Sequence, residues 1–256
     1  MPKVSVTVIT LNEERNLPDA LASVAWADEI VVVDSGSSDK TCEIARQFTT
    51  KVLARDWPGY SAQKNFAAEQ ARHDWILSLD ADERVTSELA GDIQKLFAGT
   101  PGARGYRIPR VSRYLGKWLR STDWYPDYQL RLYDRRHARW NGRPVHESVA
   151  VDGPVGLLRH ELQHHPYADI SHHLQTIDRY TTLAAQAMHA DGRRVGTLGL
   201  FAHPVAAFLR NSLLKKGVLD GSTGLTVSAL NSYYVFLKLA KLKELQRHEA
   251  KASSHE

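Results

Sequence analysis

Three apolar runs, Val4–Ile9, Ile30–Val33 and Trp75–Leu79, constrain this chain more than any other feature. They are rich in β-branched residues and almost free of polar ones. That is the pattern of strands covered on both faces, not of strands with one wet face. The sequence therefore predicts strands at Lys3–Thr10, Glu29–Asp34, Lys51–Ala54 and Trp75–Leu79. Helical spacing fills the gaps: Leu17, Leu21 and Val24 after an N-cap at Asn12, then Cys42 to Phe48, Gly59–Arg72, and Ser87–Phe97. Strand and helix alternating in this way predict an α/β chain with a mixed, mainly parallel sheet and helices on both faces.

The ends of these strands carry the chemistry. Thr10 to Glu13, Asp34, and Asp80 with Asp82 close three of them. The C-terminal mouth of an open α/β sheet is where ligands bind. Asp80-Ala-Asp82 is a weak signal alone, since a plain acidic turn reads the same way. Two carboxylates so spaced can nevertheless hold a hard divalent cation shared with substrate phosphates. The convergence of polar strand ends raises that reading to a nucleotide and metal site.

Beyond Pro101-Gly102 the pattern changes. Gly105–Arg113, Tyr128–Tyr133 and Pro144–Val151 read as strands of an antiparallel addition, crowded with arginine and tryptophan. Arginine suits phosphates and carboxylates, although about half of these residues fit a solvated strand face equally well. From Tyr167 onward the chain reads as helical: Ile170–Ala190, an amphipathic Leu200–Lys216, and Thr223–Arg247. Basic residues beside Phe and Leu at helical spacing fit an interfacial helix and packing against the main domain about equally.

Composition narrows the classes. A net charge of +4 is compatible with anionic substrates or a membrane surface but does not argue for nucleic-acid binding. Cys42 is the only cysteine, which excludes an intrachain disulfide or a cysteine metal cluster and fits a reducing compartment. No apolar run is long enough to span a bilayer, and the first residues lack an apolar signal region. The expected location is cytoplasmic, with peripheral contact to the inner face of the cytoplasmic membrane left open.

Three motifs in order, Val6-Thr-Val-Ile-Thr10-Leu11-Asn12-Glu13-Glu14, Ile30-Val-Val-Val-Asp34-Ser-Gly36-Ser-Ser-Asp39 and Leu77-Ser-Leu-Asp80-Ala-Asp82-Glu83, resemble family 2 glycosyltransferases. The segments Trp124–Tyr133, Pro144–Glu147 and Lys216–Gly221 are most similar to bacterial lipopolysaccharide core β-1,4-glucosyltransferases. The resemblance implies a GT-A (Rossmann-like) nucleotide-sugar fold over 1–155, a mainly helical extension over 156–256, and Mg²⁺ or Mn²⁺ as cofactor. It implies inverting transfer from a nucleotide-diphospho-sugar, with UDP-glucose the expected donor and a lipid-linked saccharide of the lipopolysaccharide inner core the expected acceptor. Thr10, Asn12 and Glu13 match the first nucleotide-contacting turn, and Asp34 the acid that meets base or ribose. Lys64 matches a basic position facing the donor. Asp80 would face sugar or ribose and share the metal with Asp82. Arg131 would contact diphosphate or acceptor phosphate.

Inversion requires one general base. Glu147 is favoured over Asp127, with His146 orienting it. Relatives carry a Glu-Asp pair near Asp127, whereas this chain has Pro126-Asp127. His160-Glu161-Leu-Gln-His164 fits the zinc-protease pattern H-E-x-x-H, which requires a helix. Val155–Gln163 reads as extended, where residues four apart lie about 13 Å from each other, too far for one zinc. The remaining histidines, His165, His172 and His173, read as surface. Two further readings stay open: the same enzyme fold with a polyprenyl-phosphate or protein acceptor, and a non-catalytic nucleotide-sugar-binding module.

Overall fold

The computed structural model describes residues 2–142 and 147–253. The first strand is β1 (Val4–Thr10), followed by α1 (Leu17–Ala22), β2 (Glu29–Asp34), α2 (Thr41–Phe48), β3 (Val52–Ala54), α3 (Tyr60–Gln70) and β4 (Trp75–Asp80). Next come β5 (Glu83–Val85), α4 (Ser87–Ala98), β6 (Gly105–Tyr114), β7 (Lys117–Leu119), β8 (Asp127–Asp134), β9 (Ala138–Trp140), β10 (Val149–Val151), β11 (Val155–Leu157) and β12 (Leu162–His164). The chain ends in α5 (Ile170–Ala190), α6 (Thr197–Leu209) and α7 (Gly221–Ser253).

Two compact units result: Met1–Val111 with Asp127–His165, and Ser112–Pro126 with Pro166–Glu256. In the first, the main sheet runs β3-β2-β1-β4-β8-β6-β12-β5. β1 pairs in parallel with β2 and β4, and β2 with β3. β8 is antiparallel to β4 and β6. The register sets Thr10 opposite Asp34 and Ile9 opposite Asp80, so the polar strand ends stand level. The chain moves outward from β1 through β2 and β3, then returns to place β4 on β1's other side. The switch point therefore lies between β1 and β4, where open α/β sheets form their ligand crevice.

The continuous apolar runs have the burial they predict. One face of the sheet packs Val4, Val6, Val8, Leu77 and Leu79 against Leu17 and Leu21 of α1 and Leu89, Ile93 and Phe97 of α4. The other packs Val31, Val33 and Ile76 against Ala67 and Ala68 of α3, with Tyr133, Trp140 and Val149. Two helical layers thus enclose the parallel strands. This mixed, mainly parallel arrangement with a helical C-terminal part is GT-A.

In the second unit, β7 pairs with the end of β6, Ser112 opposite Leu119. α5 and α6 pack against α7. Tyr114, Leu119 and Val227 form a small core with Trp124, Tyr167 and Leu230 around it.

Several local expectations change. Asn12 does not cap α1: the helix starts at Leu17 behind Asn16, and Asn12 sits at φ 55°. Asparagine tolerates that left-handed conformation as readily as it caps. The amphipathic Leu200–Lys216 segment begins earlier, at Thr197, and turns at Arg210–Leu214 into a wider π-type helical turn. Of the Pro144–Val151 segment, Val149–Val151 is strand, and its first residues lie outside the described ones. Val155–Gln163 is indeed not helical; it forms β11 and β12 around a turn.

Candidate active site

Asp34 closes β2 and organises the turn after it. Its carboxylate accepts bonds from Thr10 Oγ1 (3.0 Å), the Gly36 and Ser37 amides (3.0 and 2.8 Å) and Ser37 Oγ (2.5 Å). Burial alone would raise its proton affinity, but the bonds from Ser37 and Thr10 outweigh it and hold the carboxyl below its ordinary range. Asn12 ties the first strand's turn to the same loop: its amide donates to Ser37 Oγ (2.8 Å) and its Oδ1 accepts from the Ser38 amide (2.9 Å). The Glu13 amide donates to Thr41 Oγ1 (2.7 Å). Thr10, Asn12, Glu13 and Asp34 are thus brought together as one hydrogen-bonded rim.

Asp80 ends β4 against two buried cations. Lys64 Nζ, from α3, lies 2.8 Å from Oδ1, and Arg131 of β8 bonds Oδ2. Burial opposes ionisation of Asp80, yet Arg131 and Lys64 hold it ionised far below the usual carboxylate range. Trp140 supports both cations, with its ring 4.3 Å from Lys64 Nζ and 5.8 Å from the Arg131 guanidinium.

The network continues through Glu83, whose motif position the sequence supplied without a role. Its fully buried carboxylate accepts from Arg131 (2.6 Å), Arg110 (2.9 Å) and, through Oε2, the Asp80 amide (3.0 Å). Arg110 in turn grips Oδ2 of Asp127 through Nε (2.9 Å) and a terminal nitrogen (2.7 Å), while Gln129 donates to Oδ1 (2.6 Å). Asp127 opens β8, antiparallel to β4, and therefore lies toward the same end of the sheet as Asp80. Glu147 is half-buried, two residues before β10, whose Val149 pairs with Trp140. His146 lies outside the described residues.

Asp82 differs from Asp80. Its Oδ2 is 3.3 Å from Nε2 of His164, which β12 brings in by pairing with β5. In the sequence His164 stands out only as part of the protease pattern. In the fold His160 instead pairs with Asp92 (2.8 Å), away from His164. Among the described residues, no group of three or more acidic, histidine or cysteine side chains converges as a metal cage. Asp82 and His164 offer an oxygen and a nitrogen, a partial donor set that suits Mg²⁺ or Mn²⁺ when phosphate oxygens complete the sphere. Glu13 reports the local field: burial first, then the charges of Asp82, Asp39 and Asp80, raise its proton affinity against a lowering bond from Asn16. A divalent cation would relieve that excess of negative charge.

His173 also departs from expectation. It is buried, not on the surface: Nδ1 bonds the Tyr114 hydroxyl (2.9 Å) and its ring stacks on Tyr167 at 4.0 Å.

Comparison with known proteins agrees with the motifs. A lipopolysaccharide core biosynthesis glycosyltransferase of Rhizobium meliloti, LpsC, is 31% identical over 98% of this chain and 96% of its own length. An uncharacterized glycosyltransferase of Rickettsia typhi is 30% identical over 96% of this chain and 88% of its own. The crystal structure of S. aureus TarS 1-349 in complex with UDP-GlcNAc is 13% identical, with a TM-score of 0.49 over 98% of this chain and 92% of that one. The family model described as glycosyl transferase family 2 matches residues 5–152, and the chain belongs to that family.

Proposed function

We propose that the chain transfers glucose from UDP-glucose, with inversion, onto a saccharide acceptor of the lipopolysaccharide inner core. The observation that carries the reading is the group of polar side chains at the β1–β4 switch point. There, Asp82 and His164 sit beside a rim of Thr10, Asn12, Glu13 and Asp34. The relationship to LpsC supports the acceptor class.

In this reading, Asp82 and His164 would hold Mg²⁺ or Mn²⁺, which would supply charge neutralisation to the diphosphate leaving group. Lys64 and Arg131 keep Asp80 ionised and oriented, so that its partly exposed carboxylate accepts hydroxyl groups of ribose or sugar. The rim fixes the nucleoside. For the base we favour Asp127, reversing the sequence preference for Glu147. Two features support it: its position toward the Asp80 end of the sheet, and the bonds from Arg110 and Gln129 that fix it. A carboxylate has about four acceptor positions, so those bonds leave room for an acceptor hydroxyl.

The test is UDP release from a panel of UDP-sugars, with Mn²⁺ and purified inner-core saccharide, analysed for the anomeric configuration of the product. UDP-glucose should be turned over best and give the inverted linkage. Equal turnover of all donors, or unchanged turnover in Asp82→Ala, would reject the reading.

A further inference from the structure

The second unit carries an apolar stripe that is largely exposed, with the Phe201 ring 6.3 Å from that of Phe236 on α7. On α6, Leu198, Phe201, Val205 and Leu209 recur at intervals of three and four, which places them within one narrow arc of the helix. All four are exposed, Leu198 at 83% and Phe201 and Val205 at 59%. The flank of the same helix carries its buried Pro204 and half-buried Leu200 and Phe208. The stripe does not stop at the helix end: Leu213 and Leu214 are exposed on the π-type turn, and Leu219 just beyond it. A solvent-facing helix would ordinarily reverse this pattern, turning its polar side outward.

The segment that carries the stripe is itself basic, between Asp191 and Asp220. From Gly192 to Leu219 there is no acidic residue, while Arg193, Arg194, Arg210, Lys215 and Lys216 lie at its two ends. Arg194 is engaged by Glu249 and Arg210 by Asp123. Arg193, Lys215 and Lys216 are exposed. No helix is long and apolar enough to cross a membrane among the described residues, so this surface is suited to lying on a bilayer, not spanning it. We infer that the α6 stripe and its flanking cations form a docking surface for an anionic lipid bilayer. Phe201, Val205 and Leu209 enter the headgroup–acyl boundary, and Lys215 and Lys216 meet lipid phosphates. A second copy of this chain is a poorer occupant. A two-fold contact through this face would set basic ends against basic ends. The inference stands apart from the choice of donor and acceptor.

The experiment is co-sedimentation of the full chain with vesicles of phosphatidylcholine alone, or of equal parts phosphatidylcholine and phosphatidylglycerol. The variants are Phe201→Glu with Leu209→Glu, and Lys215→Glu with Lys216→Glu. All these positions are exposed, so thermal melts of both variants should match the parent. The parent should bind the anionic vesicles and not the neutral ones, with binding weakened by added salt. The apolar pair should weaken binding by roughly tenfold or more. The lysine pair should remove the salt-sensitive part. UDP release with a soluble acceptor fragment should stay unchanged in both, which separates this surface from the transfer site. Absence of binding to anionic vesicles, or equal binding by the variants, overturns the inference. So does a dimer in solution that Phe201→Glu dissociates, which would assign the stripe to a second copy.

Discussion

Oδ2 of Asp82 lies 3.3 Å from Nε2 of His164, although the two are 82 positions apart in the sequence. Asp82 contributes an oxygen and His164 a nitrogen at this point, so metal dependence should divide between them. Asp82→Ala should abolish Mn²⁺-supported UDP release. His164→Ala should raise the Mn²⁺ concentration needed for half-maximal turnover by about 10–100-fold, the range seen when metal-site support is removed. Chelation by EDTA should stop turnover of the parent, and excess Mn²⁺ should restore it. A metal titration curve for His164→Ala that overlays the parent's would show that the histidine does not take part.

The chain of charges from Lys64 through Asp80, Arg131, Glu83 and Arg110 to Asp127 is internally paired and largely buried. Removing one member leaves a buried charge short of its partner, which costs about 3–5 kcal/mol. Arg131→Met should therefore lower unfolding stability by about that amount in a denaturant titration, besides impairing turnover. Arg131→Lys keeps the charge but not the planar fork that reaches Asp80 and Glu83 together. It should recover only part of the loss. Full stability in Arg131→Met would mean that the network contributes nothing to folding.

The strands were readable because burial on both faces leaves β-branched runs unbroken, and the acidic residues that end them follow directly. That Thr10, Asp34 and Asp80 stand at neighbouring strand ends is legible for the same reason. His164 could not: β12 and β5 are three residues each, too short to show a period, and their pairing is not local. Asn12 misled because one side chain satisfies two competing turn geometries, helix cap and left-handed loop. His173 did leave a signal. The buried face of α5 runs His173, Ile177, Thr181 and Ala185 at steps of four. The larger apolar residues of the same helix, Leu174 and Leu183, are exposed instead.

The base can be identified by comparing two conservative variants. Asp127→Asn keeps the shape and an acceptor oxygen toward Arg110 but cannot take a proton. If Asp127 is the base, its loss should lower kcat by about 10²–10⁴-fold, with little change in the affinity for UDP-glucose measured by calorimetry. Glu147→Gln should then lower kcat far less. The reverse ranking would restore Glu147, and equal losses would mean that neither acts alone.

The His173 environment predicts how stability changes with pH. Burial, and secondarily the neighbouring His172, push its proton affinity down from 6.5 to about 4. Around it stand Tyr114 of β6, Trp124, Tyr167 and His172, none of which supplies a negative charge. Above pH 6.5 the histidine is neutral in both folded and unfolded chains and adds no pH dependence. Below it, the unfolded chain binds a proton that the folded chain refuses, so stability falls as pH drops. The fall should continue to about pH 4, where the folded state also protonates. His173→Gln keeps a hydrogen-bonding partner for the Tyr114 hydroxyl and removes the titration. The melting temperature of the parent should drop more between neutral pH and about pH 5 than that of the variant. Parallel melting-temperature profiles would show that His173 takes no part in the acid sensitivity of the fold.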